Sequence, residues 1–132
     1  MKTLFHAVLD IEPITWKRTE GSGKRRYMNA KEREYYYCIY EAMREKGMKP
    51  CPKPPVELAI RIEFRYTAGI WRDASNMLKA VEDAGQPSKW ADKFKVAVMP
   101  DWWDDKQFAT VDLRRYRYDK RNEIEITIWE IR

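Results

Sequence analysis

Histidine is almost absent from this chain of 132 residues: His6 stands alone. The only cysteines, Cys38 and Cys51, have no CxxC spacing, so the soft ligands of a zinc site are missing. The single histidine also argues against Ser–His and Cys–His nucleophiles, and both cysteines read as free thiols of a reducing cytosol. No apolar run of about 18 residues is present to cross a membrane. The opening MKTLFHAVLDIEP acquires Asp10 and Glu12 before the core of an export signal is complete. A soluble, unexported, cytoplasmic protein with no membrane partner is therefore expected. Walker-type Gly–Lys spacing, GxGxxG, internal repeats and low-complexity tracts are all missing as well.

Charge, by contrast, is plentiful. Asp, Glu, Lys and Arg make up 36% of the chain, with 26 basic against 21 acidic residues and a net charge of +5. The excess lies in residues 1–55, which hold 12 basic and 7 acidic groups, whereas residues 56–110 hold 8 and 9. A basic arm suits a polyanion. An acidic middle repels phosphate unless its carboxylates serve another purpose, such as holding a cation.

Length and an apolar fraction of 44% predict one domain with its own core over residues 1–132. Residues 2–11 read as a strand, and 15–27, centred on Gly21-Ser22-Gly23, as a mobile basic loop. Asn29 and Glu32 open a helix from Ala30 to Lys46 that Gly47 ends, with Tyr35, Ile39, Ala42 and Met43 on its apolar positions. Pro50 to Pro55 form a stiff connector. Val56 to Tyr66 alternate at period two, a half-buried strand. Asp73 caps a helix running to Ala84, with Gly85 as its stop and Met77, Leu78, Ala80, Val81 and Ala84 as its apolar side. Residues 86–100 carry no clear period. Phe108 to Tyr118 and Glu123 to Ile131 alternate again and are expected to form a terminal hairpin. The order predicts an α+β (mixed α/β) fold, two helices on a small mixed sheet of about four strands.

Three constellations carry chemistry. Asp73, Asn76, Lys79 and Asp83 share one side of the second helix; a carboxylate at a strand-to-helix junction suits a hard cation, with Lys79 reaching a phosphate. The same residues also read as a helix cap and a solvated face. Asp101, Asp104 and Asp105 crowd three carboxylates around Trp102 and Trp103, which fits a cation or an acidic turn whose tryptophans plug the core. Lys17, Arg18, Lys24, Arg25 and Arg26, interleaved with Trp16 and Tyr27, fit a nucleic-acid backbone or a solubilising loop. Alternation puts Arg115 and Arg117 on one face and Arg114 on the other, a second surface for phosphate.

The run Arg72-Asp73-x-x-Asn76-x-x-Lys79-Ala80-x-x-Asp83-Ala84, followed by Trp103-Asp104-Asp105-x-Gln107, resembles the RusA family of Holliday junction resolvases and its phage-encoded members. The resemblance implies a homodimeric endonuclease, dependent on Mg²⁺ or Mn²⁺, that resolves four-way DNA junctions by paired symmetric nicks in the cytosol of a bacterium or phage-infected host. It implies Asp73, Lys79 and Asp105 as catalytic residues and Asp73 and Asp105 as metal ligands, with Asn76 and Asp83 as residues of the motif helix; Asp83 and Asp104, close by, are the expected substitutes for the carboxylate that Ser75 lacks. Trp71, Arg72 and Asn76 join the basic loop as expected DNA contacts. Ser75 stands where the family has a second aspartate, and the link from Gly85 to Trp103 is longer than the family's. The rival expectations are a branched-DNA-binding protein inactive through Ser75, and a broader flap or fork nuclease.

Overall fold

The structure is a computed structural model that describes residues 2–15, 30–92 and 98–131. Runs with period-two alternation form β1 (Lys2–Leu9), β2 (Leu58–Arg65), β3 (Phe108–Tyr116) and β4 (Glu123–Glu130). Runs with helical spacing form α1 (Ala30–Glu45) and α2 (Ala74–Ala84), and one-turn 3-10 segments lie at Pro87–Lys89 and Asp105–Gln107. The strands make one mixed sheet in the order β1-β4-β2-β3. Among the described residues the fold is thus α+β, with four strands and two helices. None of these helices is long and apolar enough to cross a membrane.

The expected terminal hairpin does not form. β4 pairs antiparallel with both β1 and β2, while β3 runs parallel to β2 on that strand's other side. The connection from β3 to β4 passes over the end of β2: Asp119 N–H donates to Tyr66 O at 3.0 Å, and Thr67 N–H donates to the Asn122 side chain at 3.0 Å. Alternation identifies a strand and its buried face, but the partner is chosen by which apolar edge is open. The edges of β2 are filled by β3 and β4 together.

One face of the sheet builds the core. Leu58, Ile60, Ile62 and Phe64 of β2 and Ile124, Ile126 and Ile128 of β4 are buried with Phe5, Ala7 and Leu9 of β1, in one cluster with Ile39, Tyr40 and Met43 of α1 and Met77, Ala80, Val81 and Ala84 of α2. Each fully buried aliphatic side chain stabilises the fold by about 1.5–3 kcal/mol. The α2 stripe lies where helical spacing puts it, with Leu78 at its half-buried edge. The buried face of α1 is rotated from expectation toward Tyr36 and Tyr40, leaving Tyr35 and Ala42 at its margin. Glu32 is buried there, accepting a hydrogen bond from the Tyr36 hydroxyl at 2.9 Å. Gly47 ends α1 at φ 94°, a conformation other residues rarely adopt. Both cysteines are free, and burial pushes the Cys51 thiol up to about 11, which keeps it inert.

The opposite face of the sheet carries an ion network. Arg65 donates to Glu63 at 2.9 Å, Glu123 at 3.1 Å and Glu125 at 2.7 Å, and His6 lies 2.8 Å from Glu125. His6 and then Arg65 hold the Glu125 carboxyl below its usual range. A carboxyl lowered by folding contributes stability above its unfolded pKa of about 4.3, and that contribution is lost as pH falls through the folded value. Arg65→Met is accordingly expected to cost about 1–3 kcal/mol at pH 7 by taking from three clustered carboxylates the guanidinium they share, and less at pH 3. Thermal unfolding at the two pH values measures the difference; an equal cost at both would refute the network's role.

Candidate active site

α2 is the scaffold of the site, and each of its ends is fastened by side chains. At the N-terminus Asp73 is the cap, its carboxylate accepting from Asn76 N–H at 3.1 Å. At the C-terminus the carbonyls that a helix leaves without partners are taken up by indoles and an amide. Trp90 Nε1 donates to Asp83 O at 2.8 Å, while Trp103 Nε1 and Gln86 Nε2 donate to Glu82 O at 3.1 and 3.0 Å. Gly85 ends α2 as expected, but at an ordinary helical φ of −72°, so conformational freedom is not why glycine stands there. A Cβ there would lie 2.2 Å from Trp103 Cζ2: glycine is required because the indole lies on the backbone.

The WDD-x-Q motif divides its work. Trp103 packs on Gly85 and meets Phe108 edge-on at 5.4 Å. Asp104 and Gln107 form a reciprocal capping box around the turn Asp105–Gln107, and Gln107 Nε2 also donates to Pro52 O and Val56 O at 2.8 and 2.9 Å, clamping the Pro-rich connector. Trp102 stacks on Tyr40 with ring centroids 4.3 Å apart. Asp101 accepts from Ser88 N–H and hydroxyl at 3.0 and 2.6 Å. These carboxylates and tryptophans are therefore occupied in holding the turn, as the core-plug alternative has it. Asp105 differs from them: its carboxylate faces α2.

Asp105, Asp83, Lys79 and Lys89 close a ring of charge. Lys79 Nζ lies 3.4 Å from Asp83 Oδ1 and 3.7 Å from Asp105 Oδ2; Lys89 Nζ lies 3.7 and 2.9 Å from the same two atoms. The hydrogen bond from Lys89, aided by both lysine charges, holds the Asp105 carboxyl below its usual range against the opposing effect of burial. Burial pushes neighbouring Glu82 up. Among the described residues Asp83 Oδ1 is buried without a hydrogen bond and meets only these two ammonium groups. Asp83 and Asp105 thus present hard oxygen donors to one small space, one of them without a hydrogen bond, which fits a divalent cation.

Asp73 stands apart from this ring. It lies ten residues before Asp83 on the same helix, about 15 Å along the axis, so one ion with metal–oxygen bonds of about 2.1 Å cannot be held by both. Among the described residues no three His, Cys, Asp or Glu side chains converge as a ready cage. Lys89 belongs to the site although its sequence context does not announce it. The available signal was Pro87, which starts a one-turn helix directly after α2 and so folds residue 89 back over the last turn.

At the other end of α2 lies an aromatic and cationic patch. Trp71 is 68% exposed, with the guanidinium carbons of Arg117 and Arg115 at 3.6 and 4.5 Å from the centre of its ring. Arg117 and Arg115 also donate to Gly69 O and Arg72 O at 2.9 and 2.8 Å. Alternation separates them from Arg114 as expected: Arg114 lies 3.8 Å from Asp112 instead. Arg72 is committed within the fold, donating to Pro13 O, pairing with Glu12 at 3.8 Å and covering the Tyr66 ring at 4.6 Å. Asn76 is exposed on the same side of α2 as Asp73. Lys17, Arg18, Lys24, Arg25 and Arg26 lie outside the described residues, as do Trp16, Tyr27 and Asn29.

No family model and no curated protein matches the chain.

Proposed function

We propose that the protein is a metal-dependent, structure-selective DNA endonuclease that cuts four-way junctions. The observation that carries this reading is the meeting of Lys79 with Asp105 across 3.7 Å, which unites the two motifs that resemble the RusA family. Asp105 and Asp83 would hold a Mg²⁺ or Mn²⁺ ion. When bound, such an ion supplies polarisation of the scissile phosphate and a lowered pKa for water. Lys79, 39% exposed, reaches out of the ring to stabilise charge developing on a phosphate oxygen. Arg115 and Arg117 contact backbone phosphates beside Trp71. A four-way junction has near two-fold symmetry and needs two nicks, so a homodimer presents one site to each.

The test is cleavage of a labelled immobile four-way junction in Mg²⁺ or Mn²⁺. Paired symmetric nicks that vanish in EDTA are expected; nicking of a fork or of linear duplex at the same rate would replace the resolvase with a broader nuclease. Ser75, together with the ammonium groups already neutralising Asp83 and Asp105, favours one further reading, a binding protein that grips branched DNA without cutting it. Tight, salt-sensitive junction binding without nicks in either metal would establish it.

Trp71→Ala is expected to cost about 1 kcal/mol or less of stability, since the ring is exposed and its only described partners are the two guanidinium groups on its surface. It should weaken junction binding by about tenfold if the indole stacks on an unpaired base. Fluorescence anisotropy with a labelled junction decides this, and unaltered affinity removes Trp71 from the interface.

A further inference from the structure

We infer that Lys89 is the resident counter-ion of the carboxylate pair, which a divalent cation displaces and which then serves as a phosphate contact. This rests on the reading of Asp83 and Asp105 as cation ligands. The geometry leads there in three steps. Lys89 Nζ makes the shorter approach to Asp105 Oδ2, 2.9 Å against 3.7 Å for Lys79, and also lies 3.7 Å from Asp83 Oδ1, so it neutralises the two oxygens that a cation would take. Its side chain is 40% exposed and rises from a one-turn helix, so it can leave the ring without breaking core packing. With both lysines in place the ring of two ammonium and two aspartate groups is neutral. Once a divalent cation takes the carboxylates, two positive charges are in excess beside it, which attracts the single negative charge of a phosphate diester.

The electrostatics agree. Burial opposes the charge on Lys89, but the hydrogen bond to Asp105 and the charges of Asp105, Asp83 and Glu82 outweigh it and raise the ammonium's pKa. Because Lys89 released by the cation is free to meet a phosphate, and a phosphate that takes Lys89 uncovers the carboxylates, cation and DNA each favour the arrangement the other needs. By linkage each then tightens the other's binding by the same factor. Both lysines meet both aspartates, but Lys79 extends from α2 itself and is the fixed member of the pair, whereas Lys89, on the one-turn segment, is the exchangeable one.

The experiment is a calorimetric titration of the DNA-free protein with Mn²⁺, comparing wild type with Lys89→Met, Lys89→Arg and Asp105→Asn. Lys89→Met is expected to bind Mn²⁺ at least about tenfold more tightly, the scale on which one ammonium at this distance biases a carboxylate. Lys89→Arg, which keeps the charge, should stay near wild type, and Asp105→Asn should lose binding. Lys89→Met should also weaken junction binding and lower the slope of log affinity against log salt by about 1, as loss of one phosphate contact does. Unchanged Mn²⁺ affinity in Lys89→Met, with binding still lost in Asp105→Asn, overturns the role of Lys89 and leaves the cation site standing. Absence of Mn²⁺ binding in every protein overturns both.

Discussion

Asp105→Asn is expected to lower junction cleavage by about 10³-fold, because it removes a ligand from a cation that contributes several kcal/mol to transition-state stabilisation. The fold should survive. Asp105 pairs with a lysine that is 40% exposed, so its loss costs about 1 kcal/mol or less. The expected pH dependence separates the two effects. The Asp105 carboxyl is lowered by folding, so its contribution is present above about 3.9 and is lost as pH falls through the folded value. The Lys89 ammonium is raised, so its contribution is present below about 10.4 and is lost as pH rises through the folded value. The stability cost of Asp105→Asn is therefore flat from about pH 5 to 9 and shrinks at pH 3, whereas the cleavage defect is present wherever wild type cuts. Asp73→Asn supplies the contrast. Asparagine caps a helix as well as aspartate does, so stability should be unchanged. Cleavage should fall less than in Asp105→Asn, because Asp73 lies about 15 Å along the helix from Asp83. Equal losses in both variants would move the cation to the N-terminal end of α2.

Trp103→Ala carries the largest expected cost to stability, about 3–5 kcal/mol for a buried indole, or a fall in melting temperature of about 10–20 °C. Three attachments are lost together: the cover on Gly85, the edge-on contact with Phe108 and the hydrogen bond to Glu82 O. Gly85→Ala attacks the same contact from the other side and should cost about 1–3 kcal/mol through overpacking. In the double variant the new methyl group no longer meets an indole, so the combined loss should be smaller than the sum of the single losses. Additive losses in thermal or denaturant unfolding would show that the two residues act separately.

Much of this architecture is legible in the sequence because single elements are decided locally. Asp73 and Gly85 mark the bounds of α2, and the alternation from Leu58 to Phe64 reports a half-buried strand at once. Pairing is a different matter. The last two strands are neighbours in sequence, yet β2 lies between them, because strand order depends on apolar edges contributed by the whole chain. The site shows the same divide. Spacing along α2 places Asp73, Asn76, Lys79 and Asp83 on one side, but helix rise then separates the first from the last. The motif Trp103 to Gln107 is legible as a unit, whereas the division of its labour is not: only contacts show that Asp104 and Gln107 hold the turn while Asp105 faces Lys79. Lys89 was hidden because a lone lysine in a segment without periodicity carries no signal until the turn at Pro87 is seen to bend it back.

The insertion of β4 between β1 and β2 has a consequence for how the chain is made. β1 and β2 do not pair with each other; both are joined through β4, which is synthesised after either of them. A nascent chain can assemble β2, α2 and β3 as a local unit, but β1 has no strand to dock on until residues 123–130 are available. Its apolar face, Phe5, Ala7 and Leu9, stays without its cover until then. Closure of the sheet is therefore a late, long-range event, the kind that slows folding and leaves an edge open to wrong partners in the interval.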